Sequence, residues 1–380
     1  MKKTENLLVD CTFILETWVS SNSLAIYAMR LIQGLLKYSN YQVCVLAWQE
    51  KDAFIDELVG QKVDKILLNR RSDLTTSWRP YYRLSGMLPK KLKREIKRRN
   101  ITIVINPWHQ GALFFYPKTI RQYGVVHDMF LYDKVKLQRG KVSYFIWRNY
   151  QRILASKFSG LISISQMTHD ELLRCENLPS MVVYNSIPFD FTIVEEPVEV
   201  VQAKRYIIDI NRFQGYKNAE LLIRALSLIK DEIPHYLYLK GDHEFEEERK
   251  SLEKLAVELG LEDRVIFDIS CRSEGELRYL YTHADLFVSP SLKEGFGWTP
   301  IEAAILKTPV LVSDIKVFKE VLCGKIPTFD PNSPEDLAKK MLSIISNPPS
   351  EQERSELADF FLNRYSLENQ IKQLEEFLES

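Results

Sequence analysis

Glycine is scarce, with 14 in 380 residues, about half the usual share. That excludes collagen-like and glycine-rich low-complexity chains. The five cysteines (Cys11, Cys44, Cys175, Cys271 and Cys323) are odd in number, widely scattered and without a C-x-x-C pair. Neither a disulfide framework nor a thiolate zinc site is expected, and a reducing cytoplasm is the expected compartment. Met1-Lys2-Lys3 is followed by Thr4, Glu5 and Asn6, and Asp10 interrupts the short apolar run, so no secretory signal core is expected. The longest uncharged stretch, Asn100 to Pro117, is 18 residues long but carries Asn106-Pro107, His109 and Gln110. It does not suit a membrane-spanning helix, which leaves peripheral contact as the expected kind of membrane association.

Net charge is also absent: 51 Lys and Arg balance 51 Asp and Glu. The zero is a cancellation. Residues 1–190 carry 28 basic against 16 acidic residues, an excess of 12 positive charges, and residues 191–380 carry 23 against 35, an excess of 12 negative. With 45% hydrophobic residues the chain can build real cores, and its length is that of two domains rather than one.

Short β-rich runs alternate with helical patterns in both halves, which predicts βαβ units and parallel sheets. In the first half the strands are Leu7–Asp10, Gln42–Ala47, Ile101–Ile105, Gly124–His127 and Gly160–Ser165, with helices over Ser23–Lys37 and Gln166–Arg174. In the second half they are Arg205–Ile210, Tyr236–Lys240, Val265–Ile269, Leu286–Ser289 and Val310–Ser313, with helices between. Pro197 and an acidic cluster without periodicity mark residues 188–203 as a linker. The expected domains are 1–187 and 204–360, followed by a terminal helix over 361–380.

Open α/β sheets bind ligands beyond the carboxyl ends of their strands, so the loops after strands are the candidate sites. One runs Ser289-Pro290-Ser291-Leu292-Lys293-Glu294-Gly295-Phe296-Gly297-Trp298-Thr299-Pro300-Ile301-Glu302. Thr299 is expected as N-cap with Pro300 at the first helical position. Gly295 and Gly297 allow close backbone approach, and the helix start offers free N–H groups to an anion. Glu294 and Glu302 flank the loop. Thr299 to Glu302 equally fits a capping box in which Glu302 returns to the Thr299 N–H. The second loop, Asn211-Arg212-Phe213-Gln214-Gly215-Tyr216-Lys217-Asn218, places two cations before a helix with Asn218 as its expected cap. A planar guanidinium and a compact ammonium together suit a diphosphate.

The pair E-x7-E (Glu294, Glu302) and R-x4-K (Arg212, Lys217) resembles the donor-binding domain of the family-4 retaining glycosyltransferases of the GT-B fold, glycosyl transferases group 1. Tyr281 to Ser291 and Pro309 to Asp314 are similar to the family's flanking strands. Val125-Val126-His127-Asp128, Leu161 to Ser165 and Val182-Val183-Tyr184-Asn185 resemble its N-terminal landmarks. The resemblance implies an α/β fold of two Rossmann-like parallel-sheet domains facing across a cleft, an acceptor domain first and a nucleotide-sugar donor domain second, with the last helix packing back on the first. It implies a metal-independent hexosyltransferase, without cofactor, that takes a UDP- or GDP-sugar and a glycan or lipid-linked acceptor in cell-surface polysaccharide or lipopolysaccharide synthesis. No two aspartates are separated by one residue, so the D-x-D signature of metal-dependent transferases is missing.

By that resemblance Arg212 and Lys217 hold the diphosphate, Glu294 contacts donor-sugar hydroxyls, and Glu302 binds the ribose. The backbone around Gly295, Phe296, Gly297, Trp298 and Thr299 completes the donor cradle, and His127 positions the sugar. Where the family has a glycine-rich loop after its first strand, this chain has Ser20-Ser21-Asn22-Ser23, and Ser21, Asn22 and Ser23 are the candidate acceptor-side residues. Two rivals stand beside this reading: a non-catalytic GT-B subunit that binds glycan or a partner transferase, and a sugar-nucleotide epimerase. The cation-rich helix Lys90 to Arg99, with Leu88, Leu92 and Ile96 on one stripe, is expected to pack on the sheet and to present its charge outward, where an anionic membrane surface is the candidate partner. Nucleic acid is not expected, since no base-reading module accompanies the charge.

Overall fold

The structure, a computed structural model, describes residues 5–14, 23–70, 72–73, 87–130, 140–187 and 193–379. It divides into two compact units, residues 1–188 with 365–380, and residues 189–364.

The first unit contains β1 (Asn6–Asp10), α1 (Ser23–Tyr38), β2 (Gln42–Trp48), α2 (Asp52–Val59), β3 (Lys65–Leu68), α3 (Lys90–Arg99) and β4 (Ile101–Asn106). It continues through β5 (Arg121–Val126), α4 (Lys141–Ala155), β6 (Gly160–Ser163), α5 (Gln166–Glu176) and β7 (Met181–Val182). Its seven strands are ordered β3-β2-β1-β4-β5-β6-β7, and every pairing is parallel. Central strands such as β1 and β4 are buried on both faces, which is why they read as continuous rather than alternating apolar runs. Leu92 and Ile96 of α3 are buried against β3 and β4 side chains, so the stripe packs on the sheet while Lys93, Arg94 and Lys97 remain exposed.

The second unit contains β8 (Tyr206–Ile210), α6 (Ala219–Ile229), β9 (Tyr236–Lys240), α7 (Glu246–Glu258), β10 (Val265–Asp268), α8 (Glu274–Thr282) and β11 (Leu286–Ser289). After it come α9 (Trp298–Ile305), β12 (Val310–Ser313), α10 (Lys316–Val321), β13 (Thr328–Phe329), α11 (Pro334–Ser346) and α12 (Glu351–Arg364). The order is β10-β9-β8-β11-β12-β13, again all parallel. Residues 193–203 pack on this unit: Glu196 N donates to Gly275 O at 3.1 Å, and Val198 and Val201 are buried.

The final helix, α13 (Leu367–Glu379), belongs to the first unit. It lies so close to α1 that a Cβ on Gly34 would stand 2.6 Å from Ile371 Cγ1, and Arg121 Nη1 donates to Leu378 O at 2.5 Å. Among the described residues no helix is long and apolar enough to cross a membrane.

Candidate functional site

In each sheet the strand order reverses direction at one point, between β1 and β4 in the first and between β8 and β11 in the second. Strands on either side of such a point send their connections to opposite faces and leave a crevice at their carboxyl ends. In the second unit the two loops singled out by sequence leave this crevice, because β8 and β11 pair directly through Leu286 with Ile207 and Phe287 with Ile208.

The loops touch. Leu292 N donates to Tyr216 O at 2.8 Å, and Lys217 Nζ donates to Glu294 Oε1 at 2.6 Å. The same oxygen accepts from Ser291 Oγ at 2.7 Å. Both members of the pair are largely enclosed, at 13% and 11% side-chain exposure, so the ion pair is shielded from the screening that weakens surface pairs. Among the described residues the side-chain hydrogen bonds to Glu294 all go to Oε1.

Arg212 leaves the same loop but turns elsewhere. Its guanidinium pairs with Asp242 at 3.2 Å and Glu244 at 3.1 Å on the loop after β9, and it is 43% exposed. Phe213, beside it, is buried against Gly241, where a Cβ would stand 2.1 Å from the ring.

A buried carboxylate that the sequence reading passed over underlies the cluster. Asp209, one residue before the end of β8, is 3% exposed and accepts from Asn211 Nδ2 at 2.6 Å. Burial pushes its carboxyl up to about 7; the Asn211 hydrogen bond and the Lys217 charge oppose this, and the Glu294 charge adds to it. The available signal was an acid inside the apolar run Tyr206-Ile207-Ile208-Asp209-Ile210.

The start of α9 differs from expectation. The helix begins at Trp298, its N-cap position is Gly297 at φ 84°, and no side chain caps it, so Thr299 is a helical residue and not the cap. Gly297 is required twice over, by the left-handed backbone and because a Cβ would meet Phe318 Cε1 at 2.6 Å. Gly295, Trp298 and Thr299 are half-buried and Phe296 is buried. The capping-box alternative is not formed. Glu302 instead accepts from Tyr281 OH at 2.7 Å, and Tyr281 is fixed by Thr308 Oγ1 donating to its carbonyl at 2.6 Å. Burial pushes the Glu302 carboxyl up to about 7, the Tyr281 bond opposing and the Glu274 charge adding. Asn218 precedes α6 at φ 60° without capping it; its amide donates to Pro290 O at 3.3 Å and Pro331 O at 3.0 Å, stitching the two loops together.

In the first unit His127 follows β5, with Nε2 2.7 Å from Pro107 O. A carbonyl can only accept, so Nε2 carries the hydrogen and Nδ1 the lone pair. Burial holds the imidazole down at about 4, the Pro107 bond opposing, and the ring is neutral at pH 7. Tyr27 meets it edge-on at 4.7 Å between centroids. Of the acceptor-side candidates, Ser21 and Asn22 lie outside the described residues, and Ser23 is the exposed first residue of α1. Among the described residues no group of three His, Cys, Asp or Glu side chains could hold a metal ion.

A family model described as Glycosyltransferase Family 4 matches residues 24–191, and one described as Glycosyl transferases group 1 matches residues 191–359. The O-antigen chain mannosyltransferase RfbU of Salmonella typhimurium is 29% identical over 238 residues, 60% of this chain and 63% of that protein. The serotype-specific mannosyltransferase WbdA of Escherichia coli is 26% identical over 199 residues, 49% of this chain and 24% of that protein. The chain thus spans from a quarter to under two thirds of these relatives. Among solved structures, Anabaena Alr3699/HepE in complex with UDP and glucose superposes with a TM-score of 0.71 at 15% identity, covering 99% of each chain. The two family matches run in tandem from residue 24 to residue 359, and the chain belongs to the family-4 glycosyltransferases of the GT-B fold.

Proposed function

We propose that this protein is a retaining hexosyltransferase that moves a sugar from a nucleotide-diphosphate donor to a hydroxyl of a glycan or lipid-linked acceptor in surface polysaccharide or lipopolysaccharide synthesis. The observation that carries the proposal is the enclosed Lys217–Glu294 pair, seated with Ser291 at the crevice between β8 and β11. Family membership, the names of the mannosyltransferase relatives and the UDP and glucose bound by a structural neighbour support it.

In this reading Lys217 spends one of its three N–H donors on Glu294 and turns the others to the diphosphate. As the bond between anomeric carbon and phosphate oxygen breaks, negative charge grows on the leaving diphosphate. A preorganised ammonium stabilises that charge more in the transition state than in the ground state. Arg212 joins it by exchanging its exposed pairs with Asp242 and Glu244, which cost only about 0.2–1 kcal/mol each to release. The N–H groups at the start of α9 lie at the positive end of the helix dipole and add to the phosphate cradle. These groups carry the charge stabilisation without a metal, so turnover is expected to survive chelator.

Glu294 Oε2 accepts from a donor-sugar hydroxyl, and Glu302, steadied by Tyr281, accepts from the ribose. Neutral His127, with Nε2–H committed to Pro107, offers its Nδ1 lone pair to a sugar hydroxyl and positions rather than deprotonates. Enzyme of this kind works where nucleotide sugars are made, in keeping with a cytoplasmic chain of free cysteines. For a lipid-linked acceptor, the cations of Lys90 to Arg99 would draw it to an anionic membrane surface.

The test is a donor panel of UDP- and GDP-sugars, GDP-mannose included, measuring released nucleotide with and without lipid-extracted acceptors. Glu294→Gln should lower turnover by at least a hundredfold while the nucleotide-induced thermal shift persists, even where loss of the enclosed pair with Lys217 lowers the melting temperature. Unchanged turnover in that variant refutes the assignment. No shift with any nucleotide would favour a glycan-binding subunit, and donor conversion without acceptor an epimerase.

A further inference from the structure

α4 has two apolar faces where a domain-covering helix needs one. The inner face, Leu154 and Ala155 with Trp147 and Tyr150, packs among Met129, Phe158, Leu161 and Leu172. The outer face carries Val142, Phe145, Ile146 and Ile153, exposed by 74%, 64%, 64% and 58%. These lie at i, i+3, i+4 and i+11 on one strip of the helix. Thirteen large hydrophobic residues are exposed among the described residues, and four of them share this strip, so the exposure is concentrated rather than scattered.

The electrostatic setting selects the occupant. From Gly140 to His169 the chain has four Lys or Arg (Lys141, Arg148, Arg152 and Lys157) and no Asp or Glu. Arg148 and Arg152, one turn apart, border the apolar strip; Arg152 is exposed, and Arg148 is steadied by donating to Cys175 O at 2.7 Å. A second copy of this helix would bring like charges together with no acid to meet them. An anionic bilayer surface supplies both an apolar layer for the strip and phosphates for the arginines.

The sheet topology adds a second cationic element on the same side. The connections β3–α3–β4 and β5–α4–β6 advance across the sheet in the same direction, so right-handed crossovers place α3 and α4 on one face. With Leu92 and Ile96 buried, α3 has charge to offer but no apolar surface to insert.

We propose that α4 docks this protein on anionic membranes, with Phe145, Ile146, Val142 and Ile153 entering the boundary between headgroups and acyl chains while α3 contributes long-range attraction. This division of labour does not depend on the donor-site reading, which nucleotide thermal shifts test separately.

The experiment is co-sedimentation of the full chain with phosphatidylcholine vesicles, with and without phosphatidylglycerol, in about 0.1 M and about 1 M salt, where screening lengths differ about threefold. The wild-type chain should bind the phosphatidylglycerol vesicles. A Phe145→Ser, Ile146→Ser double variant should lose at least tenfold in partitioning, about 1.4 kcal/mol, with its melting temperature unchanged because both side chains are exposed. A Lys93→Gln, Arg94→Gln, Lys97→Gln variant should lose mainly the salt-sensitive part. A Phe145→Trp variant should shift its emission to the blue when vesicles are added. Equal partitioning of wild type and double variant overturns the proposal. So does absence of wild-type binding, or a wild-type dimer that the double variant converts to monomer, which would make the strip a contact between copies.

Discussion

Asp209→Asn removes one buried charge and keeps an oxygen to accept from Asn211. In the folded chain burial raises the Asp209 carboxyl from 3.8 to about 7. Because the folded value lies above the unfolded one, the folded chain holds the extra proton between about pH 4 and 7, and stability falls as pH rises through that window. At 1.36 kcal/mol per unit, the whole window corresponds to about 4 kcal/mol, of which roughly 3 kcal/mol falls between pH 5 and 8. Asparagine has no such dependence. The stability of Asp209→Asn relative to wild type should therefore improve by roughly 3 kcal/mol from pH 5 to pH 8. For a domain of this size that is roughly 6–12 °C in melting temperature. Glu302 and Glu176, also raised to about 7, titrate in both proteins and cancel in the difference. Scanning calorimetry of both proteins at several pH values reads it directly. A difference that stays constant between pH 5 and 8 would mean that Asp209 is solvated in the folded chain, and the picture of an acid enclosed beneath Lys217 would be wrong.

Gly297→Ala should cost about 1–2 kcal/mol for its left-handed backbone and about 1–3 kcal/mol more for the clash with Phe318; a second change, Phe318→Leu, should recover only the latter part, as read by urea titration. Tyr281→Phe removes the hydrogen bond that opposes the raised Glu302 carboxyl, so Glu302 should hold its proton to higher pH. Nucleotide affinity, measured by calorimetry, should then fall several-fold at pH 7 and recover by about pH 9. Gly34→Ala should loosen α13 from α1, since Ile371 leaves no room for the added methyl, and should bring faster proteolysis within residues 367–379 without altering the nucleotide-induced shift.

The architecture was legible because parallel strands buried on both faces leave apolar runs such as Leu286-Phe287-Val288, and the helix patterns between them dictate the connections. That the loops carrying Lys217 and Glu294 share one sheet edge was legible for the same reason, since both follow strands of one sheet, but the ion pair between them, 77 residues apart in sequence, was not. The backbone details were not. A left-handed Gly297 moves the start of α9 to Trp298, and a left-handed Asn218 spends its amide on Pro290 and Pro331 instead of on α6. Neither follows from cap preferences, which presume an extended backbone. Arg212's partners Asp242 and Glu244 come from the next strand's loop, a long-range choice invisible in R-x4-K. The edge strands β7 and β13, of two residues each, are too short to show a period.

The placement of α13 bears on the order in which the chain can fold. The second unit is one continuous stretch, residues 189–364, whereas the first needs residues 365–380 to cover α1. During synthesis the unit that emerges first must therefore wait, with the groove over Gly34 uncovered, until the whole of the other has been translated. The later unit has every residue it needs while the earlier one is still incomplete. Vectorial synthesis, which normally lets domains fold from the N-terminus onward, here has an earlier stretch of chain closed by one made after the second unit.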